Sequence, residues 1–126
     1  MAGKLVIDTL QDGSGNSTSA TNAIQGSAKA WVNFNGVTTA AVRASYNVSS
    51  VTRNGTGDYT ANFSTAFADA NYAMTSSSAN TGPTMSIASP QLAATPFTTT
   101  TARVETRNTI SGALLDCQFV LLSFFS

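Results

Sequence analysis

A chain of 126 residues with zero formal net charge and only 10% charged residues has no long-range attraction for nucleic acid or for an anionic membrane. It holds no histidine and one cysteine, Cys117, which excludes an intrachain disulfide, a Cys/His zinc site and histidine-based acid–base catalysis. Ser and Thr exceed a quarter of the residues, so hydroxyls and amides rather than charges keep the surface wet, and the length predicts one domain with a modest core.

Residues 1–25 read as an N-terminal docking segment and polar linker, and residues 26–126 as a β-sandwich domain. Leu5, Val6, Ile7 and Leu10 form a short apolar run that stops at Gln11-Asp12-Gly13-Ser14-Gly15-Asn16. The stretch 13–22 has the Ser/Thr/Gly/Asn composition of a loop. An apolar tag ahead of a polar linker is the layout of an arm that docks on another protein; a first edge strand followed by a long loop is the competing reading. Asp12-x-Ser14-x-Asn16 has part of the spacing of an oxygen-ligand calcium loop but lacks its closing Glu, so no metal is expected there. Few apolar residues follow Met1-Ala2-Gly3-Lys4, so no secretory signal is expected, and the four Asn-x-Ser/Thr sequons at Asn16, Asn47, Asn54 and Asn62 follow from composition rather than glycosylation.

The rest of the chain reads as all-β. Ala28, Ala30, Val32 and Phe34 share one face of a strand, with Lys29, Trp31 and Asn33 on the other, and the run closes on the turn signal Asn35-Gly36. Val42, Ala44, Tyr46 and Val48 alternate against Arg43, Ser45 and Asn47, and Tyr59, Ala61 and Phe63 alternate against Thr60 and Asn62. Between these two runs, Asn54-Gly55-Thr56-Gly57-Asp58 is turn chemistry. Residues 66–70 have room for a single helical turn at most, and no stretch holds helical periodicity over two turns. Further strands are expected at 73–77, 84–88, 98–107 and 114–125, with prolines between the runs. About eight short strands predict a compact antiparallel β-sandwich or jelly roll with an extended N-terminal arm.

The last predicted strand is apolar on both faces in its far half, so Leu121, Leu122, Phe124 and Phe125 are candidates for a homo-oligomer interface, with core packing as the alternative. The run 120–125 is far too short to cross a bilayer, so no membrane insertion is expected. Cys117 reads as a small buried hydrophobe. Trp31, beside Lys29 and Asn33, is a candidate interface anchor or sugar-stacking ring. Arg103, Glu105 and Arg107 fall on one strand face, as a cross-strand charge pair or as an ion pair across a subunit boundary. The carboxylates are scattered with no paired spacing, no serine has a histidine base, and Gly13-Ser14-Gly15 lacks the Lys-Ser/Thr and following helix of a phosphate loop, so neither catalysis nor a cofactor is expected.

Lys29-Ala30-Trp31-Val32-Asn33-Phe34-Asn35-Gly36, then Arg43-Ala44-Ser45-Tyr46-Asn47-Val48-Ser49-Ser50, then Asn54-Gly55-Thr56-Gly57-Asp58-Tyr59-Thr60-Ala61-Asn62-Phe63 and Ala68-Asp69-Ala70-Asn71-Tyr72-Ala73 together resemble a domain of bacteriophage tail-fibre and related virion structural proteins. The resemblance runs over residues 26–73 and weakens towards the C-terminus. It implies a non-enzymatic virion protein, made in the host cytoplasm, that forms a β knob on the tail or fibre. It further implies assembly as a homotrimer, contact with other phage proteins, and a host-surface glycan met by loops near 76–83 and 90–100. Fibre versions of the domain end longer chains, and the short lead here favours a second expectation: a capsid decoration protein on the phage head, with Leu5 to Leu10 as its clamp.

Overall fold

The computed structural model describes residues 2–82, 85–92 and 95–126. Strands β1 (Thr9–Gln11) and β2 (Ser17–Ser19) form an antiparallel hairpin, and helix α1 (Ala20–Gly26) follows at once. Asp12 builds the hairpin turn, its carboxylate accepting from Ser14 N–H at 2.9 Å, Asn16 N–H at 3.0 Å and Asn16 Nδ2 at 2.9 Å. The expected loop at 13–22 is therefore structured. Ser19 caps α1, its hydroxyl accepting from Asn22 N–H at 3.1 Å. The helix escapes a periodicity reading because it has seven residues, with Ile24 its one large apolar side chain. β1 joins neither sheet of the sandwich, so the first-edge-strand reading of the N-terminus fails.

Strands β3 (Ala30–Asn35), β4 (Ala41–Tyr46), β5 (Val48–Gly55), β6 (Asp58–Phe63), β7 (Ala73–Ala79), β8 (Ser86–Pro90), β9 (Thr101–Asn108) and β10 (Phe119–Phe125) form two four-stranded antiparallel sheets, β4-β3-β10-β7 and β5-β6-β9-β8. The expected strand at 84–88 begins on Thr84, outside the described residues. The sheets pack as the sandwich that alternation predicts. Ala30, Val32, Phe34, Val120, Leu122 and Phe124 from one sheet meet Tyr59, Ala61, Phe63, Ala102 and Val104 from the other. Each large side chain withdrawn from water in this way stabilises the fold by about 1.5–3 kcal/mol. Cys117 is buried at the same layer, as expected.

Aromatic clusters fix both ends of the core. Phe34 meets Tyr59 edge-on at 5.1 Å, and the Tyr59 hydroxyl donates to Asp116 Oδ1 at 2.9 Å, with the Gly36 carbonyl at 3.1 Å. Gly36 is required there, since a Cβ would lie 2.3 Å from the Tyr59 oxygen. At the other end Phe63, Phe67, Tyr72, Phe97 and Phe124 cluster, with Phe63 and Phe124 edge-on at 5.1 Å. Residues 66–70 form bends rather than a helical turn, and they carry Phe67 inward.

The alternation expected over 42–48 breaks at Asn47. That residue takes φ +53°, a left-handed conformation that asparagine tolerates, and the chain passes from the first sheet to the second. Its side chain holds the crossing: Nδ2 donates to the carbonyls of Lys29 at 3.2 Å and Thr65 at 3.1 Å, and Oδ1 accepts from Thr65 N–H at 2.7 Å. Within β4 the register against β3 slips between Asn33 and Phe34, leaving Arg43 without a partner in the ladder. Past that slip Tyr46 pairs with Trp31, so it leaves the core face on which the simple alternation placed it.

Candidate functional site

The N-terminal unit is apolar on its outside. Neither β1, β2 nor α1 contains a buried residue. Leu5 is 81% exposed, Val6 82% and Ile24 63%. Together with Ile7, Leu10 and Ala23 they line an open groove of about 410 Å³. All four expected docking residues thus line one groove together with Ile24, which sequence reasoning missed because α1 was unseen. Lys29 ties the unit to the sandwich, its ammonium bonding the Ile24 carbonyl and, at 2.9 Å, the Ser27 hydroxyl.

The expected C-terminal interface divides. Leu122 and Phe124 point into the core and are no longer available to a partner. Leu121 and Phe125 lie on the outer face of the sheet, next to Phe119, whose ring sits 4.5 Å below the Arg43 guanidinium. The physical reason is parity: a strand with one buried and one open face divides its apolar residues between them, and apolarity alone does not tell which side is which.

Trp31 occupies the same outer face, 39% exposed, directly opposite Tyr46, which is 59% exposed. Tyr46 also walls an open cleft of about 490 Å³ whose other sides include Lys29, Asn47, Ser64, Thr65 and Phe67. Tyr46 escaped the sequence reading because the slip at Arg43, which turns it outward, leaves no mark in the hydrophobic spacing.

The opposite sheet is electrostatically closed. Arg103 clasps Asp58 in a two-pronged pair at 2.6 and 3.0 Å, and Arg107 clasps the buried Glu105 at 2.5 and 3.1 Å. Both pairs form within one chain, as the reading of Arg103, Glu105 and Arg107 as ordinary charge pairs of the sheet has it. At the sandwich end Asp116 accepts from Arg53 at 2.7 Å, Gly57 N–H at 2.8 Å and Tyr59 at 2.9 Å. Burial works against the Asp116 charge, but those three donors outweigh it and hold the carboxyl below its ordinary value. The Arg103 hydrogen bonds do the same for Asp58. Burial pushes the Tyr72 hydroxyl up to about 12, where it donates to the carbonyls of Thr98 and Thr101. Asp58, Glu105 and Asp116 are thus each held by an arginine of the same chain.

Among the described residues no cluster of acidic, cysteine or histidine side chains can hold a metal ion, and no helix is long and apolar enough to cross a membrane. The loops expected to meet a host reduce to fewer residues: 76–79 belong to β7, and Pro83, Ala93 and Ala94 lie outside the described residues. Comparison of the chain with protein-family models, with curated proteins and with solved structures finds no match.

Proposed function

We propose that the chain is a non-enzymatic structural protein of a bacteriophage virion, a small tail- or fibre-type β knob that attaches and self-associates through its N-terminal unit. One observation carries this reading. A hairpin and a two-turn helix with no buried residue, and with Leu5, Val6, Leu10 and Ile24 open to water, cannot hold together on their own core. Such a surface is completed by another protein surface. The low charge of the chain supports association, since few charges need desolvating. The sequence resemblance over residues 26–73 supports the virion setting. With Leu122 and Phe124 in the core, the C-terminal strand keeps only Leu121 and Phe125 on its open face, and we assign self-association to the N-terminal unit.

The test is the full-length variant Leu5→Ser/Leu10→Ser/Ile24→Ser. The wild-type protein is expected to sediment as an oligomer and to enter virions; the variant is expected to sediment as a monomer with unchanged near-ultraviolet dichroism and to be missing from purified particles. An unchanged mass with normal incorporation would remove the reading. Immunogold label on intact particles then separates the two positions: gold over tail or fibre tips fits the knob, and gold spread over the head makes the chain a decoration protein clamped by the same unit.

A further inference from the structure

We propose that Asn54 is a site of spontaneous covalent modification, at which the β5–β6 turn loses ammonia and gains a negative charge. The chemistry is internal to the chain. The Gly55 backbone nitrogen, deprotonated by base, attacks the Asn54 Cγ. A C–N bond forms, the Cγ–Nδ2 bond breaks and ammonia leaves, which closes a succinimide ring. Water then opens the ring at one of its two carbonyls. One opening leaves aspartate at position 54; the other leaves isoaspartate, whose backbone runs through Cγ and is longer by one methylene. Only water is consumed, so the inference goes beyond the virion reading and does not depend on it.

A side chain on the attacking residue obstructs this ring closure, and glycine has none. Of the asparagines in the chain, only Asn35 and Asn54 precede a glycine. The fold treats the two in opposite ways. Gly36 is buried, its N–H donates to the Cys117 carbonyl at 2.8 Å, and its own carbonyl accepts from the Tyr59 hydroxyl at 3.1 Å. Asn35 pairs with Ala41 in the ladder, and its Oδ1 accepts from Val37 N–H at 3.0 Å. Ring closure there would break these bonds and displace the Tyr59 end of the core. Asn54 is exposed, and the ladder skips it: Arg53 pairs with Tyr59 and Gly55 with Asp58, so Asn54 is the extra residue of a bulge. A Cβ built on Gly55 would meet nothing within 4 Å, so the attacking residue stands in open space. Among the described residues the Asn54 side chain is held only through Nδ2, which donates to Thr60 Oγ1 at 2.9 Å and to Asp58 Oδ1 at 3.3 Å.

The turn is tied to the end of the sandwich, so the product is felt there. The lost amide is a donor, and the carboxylate that replaces it faces Asp58 as a second acceptor of like charge. Asp58 then has Arg103 alone to hold it, where Arg103 and the Asn54 amide hold it together in the unmodified chain. Isoaspartate adds its methylene between Arg53, which bonds Asp116 at 2.7 Å, and Gly57, whose N–H donates to Asp116 at 2.8 Å. Gly57 cannot shift to absorb it, since even a Cβ there would lie 2.6 Å from the Thr106 carbonyl oxygen.

The full chain is aged warm at mildly alkaline pH, and its peptides are mapped by mass spectrometry with electron-transfer fragmentation, which separates isoaspartate from aspartate. Expected is conversion at Asn54 about ten-fold or more faster than at Asn35 in the folded chain, with comparable rates at the two in urea. The aged protein focuses one charge more acidic. Gly55→Ala slows conversion at Asn54 about ten-fold or more and leaves the denaturant midpoint unchanged. Asn54→Asp lowers Tm by a few degrees, and the loss shrinks as salt is raised. Equal conversion of Asn35 and Asn54 in the folded chain overturns the selection by the fold. Conversion of Asn54 in urea but not in the folded chain overturns the site. An unchanged Tm in both Asn54→Asp and the aged chain overturns the link to Asp58 and Asp116.

Discussion

Phe124 and Leu121 provide the sharpest test of the register of β10. Phe124 is fully buried, and its ring meets Phe63 edge-on at 5.1 Å and Tyr72 at 5.8 Å. Phe124→Ala removes that burial and opens a cavity between the sheets, at a cost of about 3–5 kcal/mol. Against a total stability of about 5–15 kcal/mol, that is a large share. For a domain of this size it lowers Tm by about 12–20 °C. Leu121, three positions earlier on the same strand but on the open face, is 40% exposed, and Leu121→Ala costs under about 1 kcal/mol. Urea unfolding followed by tryptophan fluorescence, together with differential scanning calorimetry, gives both values. The mass of the native protein is expected to stay the same in both variants. A slip of one residue would exchange the two faces of β10. A small loss for Phe124→Ala with a large one for Leu121→Ala would show that exchange, and the assignment of Phe124 to the core would be wrong.

The two paired aspartates predict the acid limit of stability. Asp58 and Asp116 are held below their ordinary value near 3.9, so the stability they contribute is fully present above about pH 4 and is lost as pH falls towards their folded values. Tm is therefore expected to be flat from about pH 5 to 8, where a chain with no histidine has no side chain that ordinarily titrates, and to drop below about pH 4. Asp116→Ala, which strands Arg53, Gly57 N–H and Tyr59, lowers stability at neutral pH by about 2–4 kcal/mol and makes the acid limb shallower; an unchanged limb would refute the pairing. Gly57→Ala is expected to cost more than about 3 kcal/mol, because Gly57 sits at φ +64° and a Cβ would lie 2.6 Å from the Thr106 carbonyl oxygen. Gly55→Ala, with open space around it, is the control, and equal denaturant midpoints for the two variants would contradict the geometry of this turn.

What the sequence made legible was what obeys a period of two. The runs through Val32 and Tyr59 alternate without interruption, and each lies in the core as the alternation requires. The turn at 54–58 was readable because glycine supplies the positive φ at Gly57. Illegible were the places where one residue changes the phase. Asn47 moves the chain between sheets, and the slip at Arg43 puts Tyr46 beside Trp31; each is a single backbone event that hydrophobic spacing does not record. Asp116 escaped for a different reason. Its partner Arg53 is 63 residues away, and only the closed sandwich brings a lone arginine and a lone aspartate together. At the N-terminus the apolar run 5–10 was legible, but the hairpin and α1 escaped because they are short and polar and bury no residue that would mark a period.

The two outer faces of the sandwich differ in how far their polar groups are satisfied, and that difference bears on which one meets a ligand. On the β5-β6-β9-β8 sheet, Asn62 Nδ2 donates to Ser50 Oγ and Thr52 Oγ1 at 3.1 Å each, and Asn54 Nδ2 donates to Thr60 Oγ1 at 2.9 Å. Asp58 and Glu105 on the same side are clasped by arginines. A ligand arriving there would have to break bonds already made, and each new contact would replace an old one at little net gain. On the β4-β3-β10-β7 sheet, Trp31 and Tyr46 offer polar tips and ring faces that bond or stack with none of the described residues. Contacts there displace only water, and the aromatic area they cover is a gain in full. The N-terminal groove presents the complementary case, apolar surface with few polar groups to direct a partner. Attachment by shape and burial at one end, and recognition by rings and hydroxyls on one face, are the two kinds of contact this distribution of side chains permits.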